Sequence, residues 1–219
     1  AEAFYDAVCQ IKNLNASRKL FLRNIMHELK TPITKGRLAA EMIEKSKNQE
    51  RLVSVFIKLE NLINEFAAVE QVTSSIALNN TKICRIDDII DEALDIAMVD
   101  PGQVTISKLE DVNLNADFKL LAIAAKNMID NALKYSPNKH VNITITRESI
   151  KFINEGERLS KELRHYVEPF TKGESAKKSF GLGLYIVENI IKAHKLTLSY
   201  EYKNGLNVFS FENLQNIAA

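Results

Sequence analysis

The sequence predicts two folds in succession: an all-α helical hairpin, which becomes a four-helix bundle when two copies pair, and then an α+β sandwich. Three observations predict this. Apolar residues recur at steps of three and four from Phe4 to Val69. Between Thr73 and Thr81 the texture turns small and polar. Beyond it, short alternating strands mix with amphipathic helices and close on an Asn-Gly hairpin signal. The boundaries that follow are 1–74 for the hairpin, 75–80 for a linker and 81–219 for the sandwich.

Phe4, Val8, Ile11 and Leu14, continued by Leu22, Ile25, Leu29 and Ile33, lay one apolar stripe along a helix from near Phe4 to near Lys45. At 3.6 residues per turn it is about 60 Å long, too long to bury itself. Ser46 to Glu50 is polar and turn-like. Leu52, Val55, Leu59, Leu62, Phe66 and Val69 mark a second helix with a coiled-coil seam, and Phe56, Ile63 and Ala67 widen it. A seam that wide suits the core of a bundle formed by two chains. A hairpin packed on its own downstream domain is the alternative.

In the second domain, Ile83 to Ile86 reads as a strand, Asp87 as the cap of a helix to about Met98, and Pro101-Gly102 as a turn. Val104 to Leu109 and Val112 to Leu114 read as short strands. Asp117 caps a helix whose Leu121, Ala124, Ala125, Met128, Ile129 and Ala132 form an inward stripe. Val141, Ile143 and Ile145 alternate with polar neighbours as in a half-buried strand, and Ile150 to Ile153 supplies another. Ser160 to Val167 and Leu184 to His194 read as helices. Leu196 to Tyr202 and Leu206 to Phe211 form a hairpin across Asn204-Gly205.

Charge and cysteines narrow the function classes. The chain has 29 basic and 28 acidic residues in 219, a net charge of +1. No bulk field therefore argues for nucleic acid or an anionic membrane. Cys9 and Cys84 form no CxxC or metal spacing and fit a reducing, cytosolic setting. There is no run of about 18 apolar residues and no basic-then-apolar leader. The chain does not open on Met and begins in helical rhythm, so the expectation is a soluble piece of a longer polypeptide.

The chemistry-bearing residues fall into three groups. His27 lies two residues from Ile25, a rotation of roughly 200° that turns it away from the apolar stripe. Thr31 and Asn24 share its face, and Pro32 withholds the hydrogen bond owed to Glu28. An exposed imidazole is often only a solvated side chain. Beside Glu28 it is also a nucleophile with an adjacent proton acceptor. Asn127, Asn131 and Lys134 fall on one helical stripe, where hard amide oxygens can hold magnesium and the ammonium suits its phosphate partners. The same stripe can be an ordinary polar face, and Tyr135 beside it a core edge or a lid on a nucleotide. Gly181-Leu182-Gly183 opens directly into the helix from Leu184, leaving N–H groups for phosphate or merely making a turn. The stretch from Pro169 to Phe180, with Lys172, Lys177 and Lys178, reads as a lid.

Taken in order, these segments resemble the sensor histidine kinases of two-component systems over nearly the whole chain. His27-Glu28-Leu29-Lys30-Thr31-Pro32 resembles the H box, which implies His27 as phosphoacceptor, Glu28 as the acid assisting its proton and Thr31 as the hydroxyl used in dephosphorylation. The run from Asn127 to Ser136 resembles the N box, implying Asn127 and Asn131 on Mg2+ with Lys134 and Tyr135 on the nucleotide. Glu168 to Gly173, with Lys172, resembles the F box. Gly181, Leu182, Gly183 and Leu184 resemble the second glycine box. The first glycine box, usually Asp-x-Gly-x-Gly, reads Asn154-Glu155-Gly156-Glu157-Arg158, and Ser179 stands where the lid box often begins with Gly. Asn154 can still accept from an adenine amino group but lacks charge, and Arg158 restricts the backbone.

The resemblance implies a histidine kinase/gyrase/Hsp90-like sandwich that binds ATP and Mg2+ and phosphorylates His27. It implies transfer to an aspartate of a response regulator receiver domain, with phosphatase action beside it. The expected assembly is a homodimer with no nucleic acid partner. The fragment is expected to be cytoplasmic, and the full-length protein to reach the bacterial inner membrane only through a sensor region absent here. The rival is a dimeric scaffold or phosphatase with weak or lost use of ATP.

Overall fold

The computed structural model describes residues 5, 24–26, 28–74, 80–168 and 181–219. His27, Cys9, Lys172 and the Pro169 to Phe180 stretch lie outside the described residues, as do the side chains of Leu62, Phe66, Ala67 and Val69. The chain divides into two compact units, 1–74 and 75–219.

In the first unit, helix α1 is continuous over 28–41 and preceded by helical residues 24–26, and α2 spans Lys47–Ser74. The two run antiparallel because their contacts pair late residues of one with early residues of the other. Thr34 donates to Glu60 Oε1 at 3.0 Å, Arg37 Nε to the same carboxylate at 3.3 Å, and Gln49 Nε2 to the Ala40 carbonyl at 3.0 Å. Gly36 faces the Phe56 ring so closely that a Cβ there would lie 2.4 Å from Cε1. Ala40 is buried on the same side.

The connection between the helices is earlier than the polar run suggests. It occupies 42–46, and Lys47 to Glu50 form the first turn of α2. Ser46 Oγ accepts from the Gln49 N–H at 3.2 Å, so a serine followed by polar residues is a helix start here. Leu38, Met42, Ile43, Leu52, Val55 and Leu59 remain exposed, Met42 by 88%. One hairpin therefore leaves an apolar face uncovered.

The second unit is a five-stranded sheet beneath a helical layer. Its strands are β2 (Val104–Lys108), β4 (Val141–Ile145), β5 (Ser149–Glu155), β7 (Leu206–Glu212) and β6 (Thr197–Lys203), side by side in that order. A separate antiparallel pair joins β1 (Lys82–Arg85) to β3 (Asn113–Ala116). The helices are α3 (Ile86–Ala97), α4 (Phe118–Tyr135), the short α5 (Leu163–Tyr166) and α6 (Gly183–Ala193). Strands β2 and β4 are parallel, since β3 and α4 intervene as a crossover, while the other neighbours in the sheet are antiparallel.

Local chemistry explains these elements. Asp117 Oδ1 accepts from the Leu120 N–H at 3.2 Å and starts α4 as its cap. Asn204 and Gly205 both have positive φ, 53° and 80°, the twist that a two-residue hairpin turn requires. Asp87, however, is not a cap. The Ile86 N–H is satisfied by the Val112 carbonyl at 3.0 Å, so α3 starts directly from β1. The Asp87 carboxylate instead pairs with Arg85 at 2.8 Å and Lys108 at 2.6 Å, which hold it below the usual carboxylate range. Phe152 and Phe211 meet at 5.0 Å between centroids under Met128 and Ile129 of α4 and Ile186, Val187 and Ile190 of α6, all buried.

His194 locks the end of α6 to the start of α4. It is 1% exposed, its Nδ1 lies 2.8 Å from the Ile190 carbonyl, and its Nε2 accepts from the Asp117 N–H at 3.0 Å. That pattern requires the neutral ring, and burial pushes its pKa below the ordinary imidazole value. The unfolded chain takes up this proton more readily than the native one. Stability is therefore fully present above the unfolded value of about 6.5 and falls as pH drops below it, by at most about 1.4 kcal/mol per pH unit. Thermal melting of the chain between pH 7.5 and 5.5 should show this slope in the second unit. His194→Gln, which can accept the same N–H but cannot titrate, should flatten it.

Candidate functional site

The amide stripe of α4 and the start of α6 meet face to face. Met128 and Ile129 are buried against the sheet, which turns Asn127 and Asn131 toward the rim of the helical layer, where both are half-buried. Asn127 Nδ2 donates to the Ile123 carbonyl at 2.8 Å, so its Oδ1 is the end left pointing outward. A Cβ on Gly183 would lie 3.4 Å from Asn127 Oδ1 and 3.9 Å from Asn131 Nδ2. The start of α6 thus lies within van der Waals reach of both amides.

Among the described residues, no side chain caps the first N–H groups of α6. Gly181 turns the chain with φ of 74°, and Leu182, buried at the helix entrance, offers no side-chain cap. The first turn carries no acid. These donors and the positive end of the helix dipole favour an anion. Leu184 is half-buried in the same turn. Asp130, which precedes Asn131 on α4, is paired with Lys126 at 2.7 Å, which blunts its field.

The end of β5 forms a second wall. Asn154 is 5% exposed, and its Nδ2 donates to the Glu155 carbonyl at 2.7 Å. Its Oδ1 has no partner among the described residues, an acceptor held out of water and open to a ligand donor. At Gly156 a Cβ would fall 3.0 Å from both the Tyr135 carbonyl and Asn207 Nδ2. The glycine thus joins the end of α4 to the end of the sheet. Lys134 and Tyr135 are exposed there, with the ammonium 4.9 Å from the centre of the Tyr135 ring.

Amide oxygens at α4, uncapped N–H groups at α6 and a buried acceptor at β5 make a donor set that fits Mg2+, phosphate and a base bearing an amino group. In the first unit, Glu28 and Thr31 are exposed on α1. Two residues that the sequence did not single out belong to the second wall. Asn207 is 5% exposed and pairs with Asn154 across β5 and β7, and Tyr200 donates to its Oδ1 at 2.8 Å. Asn207 stands in register with Phe209 and Phe211 on the inward face. A polar residue in that apolar alternation was the available signal.

Comparison with known proteins identifies the family of both units. Residues 17–102 match the His Kinase A (phospho-acceptor) domain, and residues 116–214 match the Histidine kinase-, DNA gyrase B-, and HSP90-like ATPase. The chain is 36% identical to the sensor histidine kinase ArsS of Helicobacter pylori over 217 residues, 97% of this chain and 51% of that protein. It is 27% identical to the sensor histidine kinase CpxA of Escherichia coli, covering 88% of this chain and 46% of CpxA. The heme sensor protein HssS of Staphylococcus epidermidis is 26% identical over 89% of this chain and 47% of its own length.

The chain thus spans about half the length of the curated relatives it matches. Among solved structures, the histidine kinase AdeS of Acinetobacter baumannii has a TM-score of 0.59 at 20% identity, covering 86% of this chain and 98% of that one. Full-length ShkA in complex with AMPPNP also has a TM-score of 0.59 at 20% identity, over 90% of this chain and 46% of ShkA. At this identity they share the fold.

The crowding at Gly156 yields a test. Gly156→Ala should lower unfolding free energy by about 1–3 kcal/mol, because the methyl group meets a backbone carbonyl that cannot move aside. Urea denaturation measures it, and a stability equal to that of the parent chain contradicts the close approach.

Proposed function

The chain belongs to the sensor histidine kinases of two-component systems, and on that premise we propose that its second unit binds Mg-ATP and supplies the γ-phosphoryl group to His27. The observation that carries this reading is the contact of Gly183 with Asn127 and Asn131, which sets hard oxygen ligands beside uncapped N–H groups. Asn154 accepts the adenine amino group through its free Oδ1. Asn127 and Asn131 hold Mg2+ through their amide oxygens. Gly181, Leu182, Gly183 and Leu184 present backbone N–H groups to the phosphates, and Lys134, Tyr135 and Lys172 complete the nucleotide site. When bound, Mg2+ supplies charge neutralisation on the phosphate oxygens.

The chemistry belongs to the helical unit. His27 attacks with a neutral ring nitrogen, forming the N–P bond as the bond from the γ-phosphorus to its bridging oxygen breaks. Glu28 takes the imidazole proton. The group then passes to an aspartate on a response regulator receiver domain, and Thr31 serves the hydrolysis of that aspartyl phosphate by water to aspartate and inorganic phosphate. Two hairpins pair through the apolar face that includes Leu38, Met42, Val55 and Leu59. Among the described residues no helix is long and apolar enough to cross a membrane.

A second reading is favoured by Asn154 and Arg158, which stand where a carboxylate and a glycine are usual in the family. In it the chain is a dimeric scaffold or phosphatase with little use of ATP. Titration with Mg-ATP separates the two, since absence of binding leaves only the scaffold.

Incubation with γ-labelled ATP should give an acid-labile, base-stable phosphoprotein. His27→Gln should abolish the label, and equal labelling of that variant rules out the site. Asn127→Ala should reduce the labelling rate at least about 100-fold, the scale of losing one preorganised electrostatic group. Light scattering should find a dimer, which Leu38→Glu weakens by placing a charge on the shared apolar face. A Leu38→Glu dimer of undiminished affinity contradicts that assignment.

A further inference from the structure

Away from the nucleotide cleft, the outer edge of β2 is unpaired, and we infer that it is an interface between two copies of this chain, each β2 pairing antiparallel with the other about Ile106. The strand ends the sheet order, and its only strand neighbour among the described residues is β4. The Leu109 N–H donates to the Ile145 carbonyl at 3.1 Å, and successive residues of a strand turn their main-chain groups to opposite edges. Thr105 and Ser107 therefore bond toward β4 as Leu109 does. The N–H and C=O groups of Val104, Ile106 and Lys108 face outward.

This edge is self-complementary. The outward residues are symmetric about Ile106, so an antiparallel copy centred there matches every outward N–H with an outward C=O. The side chains agree in the same register. Ile106 meets its own counterpart and Val104 meets Lys108, on the face that β4 continues with buried Val141, Ile143 and Ile145. Thr105 meets Ser107 on the other face, beside Asn142 and Thr144. No pair sets like charges opposite one another.

An exposed edge ordinarily carries a free charge, a proline or a bulge that discourages pairing. The opposite edge of the sheet, β6, has such a guard, because Glu201 and Lys203 are exposed and make no ion pair among the described residues. Strand β2 has no proline and no break in its register. Thr105 to Lys108 are exposed, Ile106 by 43%, and Val104, Thr105 and Ile106 are β-branched. Its single charge is already occupied, since Lys108 Nζ bonds to Asp87 at 2.6 Å and also to Asp111. Repulsion between two copies is thereby removed, and the symmetry about Ile106 selects a second copy as the partner.

Amide exchange of the whole chain, followed by NMR at rising concentration, tests the pairing. The N–H groups of Thr105, Ser107 and Leu109 should be protected by β4 at every concentration. Those of Val104, Ile106 and Lys108 should exchange fast in dilute solution and slow by about tenfold once about nine chains in ten are paired, because only the unpaired chains exchange. Ile106→Lys sets two ammonium groups face to face and should abolish this concentration dependence without lowering the melting temperature.

Cysteine cross-linking gives a second readout. A hydrogen-bonded antiparallel pair holds its Cα atoms about 5.5 Å apart, within disulfide range, whereas two copies of position 107 lie diagonally at about 7–8 Å. Oxidation with copper phenanthroline should therefore link Ile106→Cys chains through position 106 and leave Ser107→Cys chains unlinked at 107, as read from the joined peptides by mass spectrometry. Outward amides that stay fast at every concentration, or that are protected even when dilute by another segment of the same chain, overturn the inference. Equal linkage at 106 and 107, or none at 106, does so too. The nucleotide site and the pairing of hairpins stand apart from each of these results.

Discussion

The arrangement of the second unit depends on how closely α6 can start against α4. Two helices packed through Met128, Ile129, Ile186 and Val187 bring the Gly183 backbone within van der Waals reach of two amides. A methyl group at this position would already touch both of them. The apolar contact thereby determines where the polar groups sit: burying one side of α4 aims the other at the uncapped end of α6. Packing and site geometry are one constraint, because any shift that relieves the core also moves the first N–H groups away from the amide oxygens.

The departures from the family pattern lie on the opposite wall. Asn154 stands where a carboxylate is usual, and the buried pocket around it contains a second amide, not a compensating charge. A backbone N–H, a phenol and the Asn207 amide form a hydrogen-bond chain whose direction is set at Leu159, while the Asn154 amide donates to the Glu155 carbonyl. A neutral network suits a position only 5% exposed, where an unpaired carboxylate would be costly.

Much of this was legible in the chain, and the parts that were not share a cause. Asp117 as a cap, the Asn204-Gly205 turn and the inward stripe of α4 are local patterns in which a few adjacent residues decide the conformation. The place of Asn127 and Asn131 on one stripe was likewise visible, because helical spacing is local. Ser46 reads in sequence as part of a turn to Glu50, whereas its hydroxyl both ends the connection and begins α2. Asp87 looked like a cap until Val112, distant in sequence, supplied the acceptor for the Ile86 N–H. The parallel pairing of β2 with β4 and the alignment of Asn207 with Asn154 are properties of strand register, which no local spacing encodes. The place of Asn207 is accordingly hidden from local spacing, although its polar character on an apolar face is present in the sequence.

The helical hairpin has a mechanical property that follows from Gly36. The Phe56 ring rests on the one position of α1 that lacks a side chain, and Glu60 is shared by Thr34 and Arg37 next to it. Sliding one helix past the other by even a single residue, roughly 1.5 Å along the axis, drives the ring into a neighbouring side chain and breaks both bonds to the carboxylate. The ring and the shared carboxylate therefore act together as a detent that holds the two helices in a single axial register.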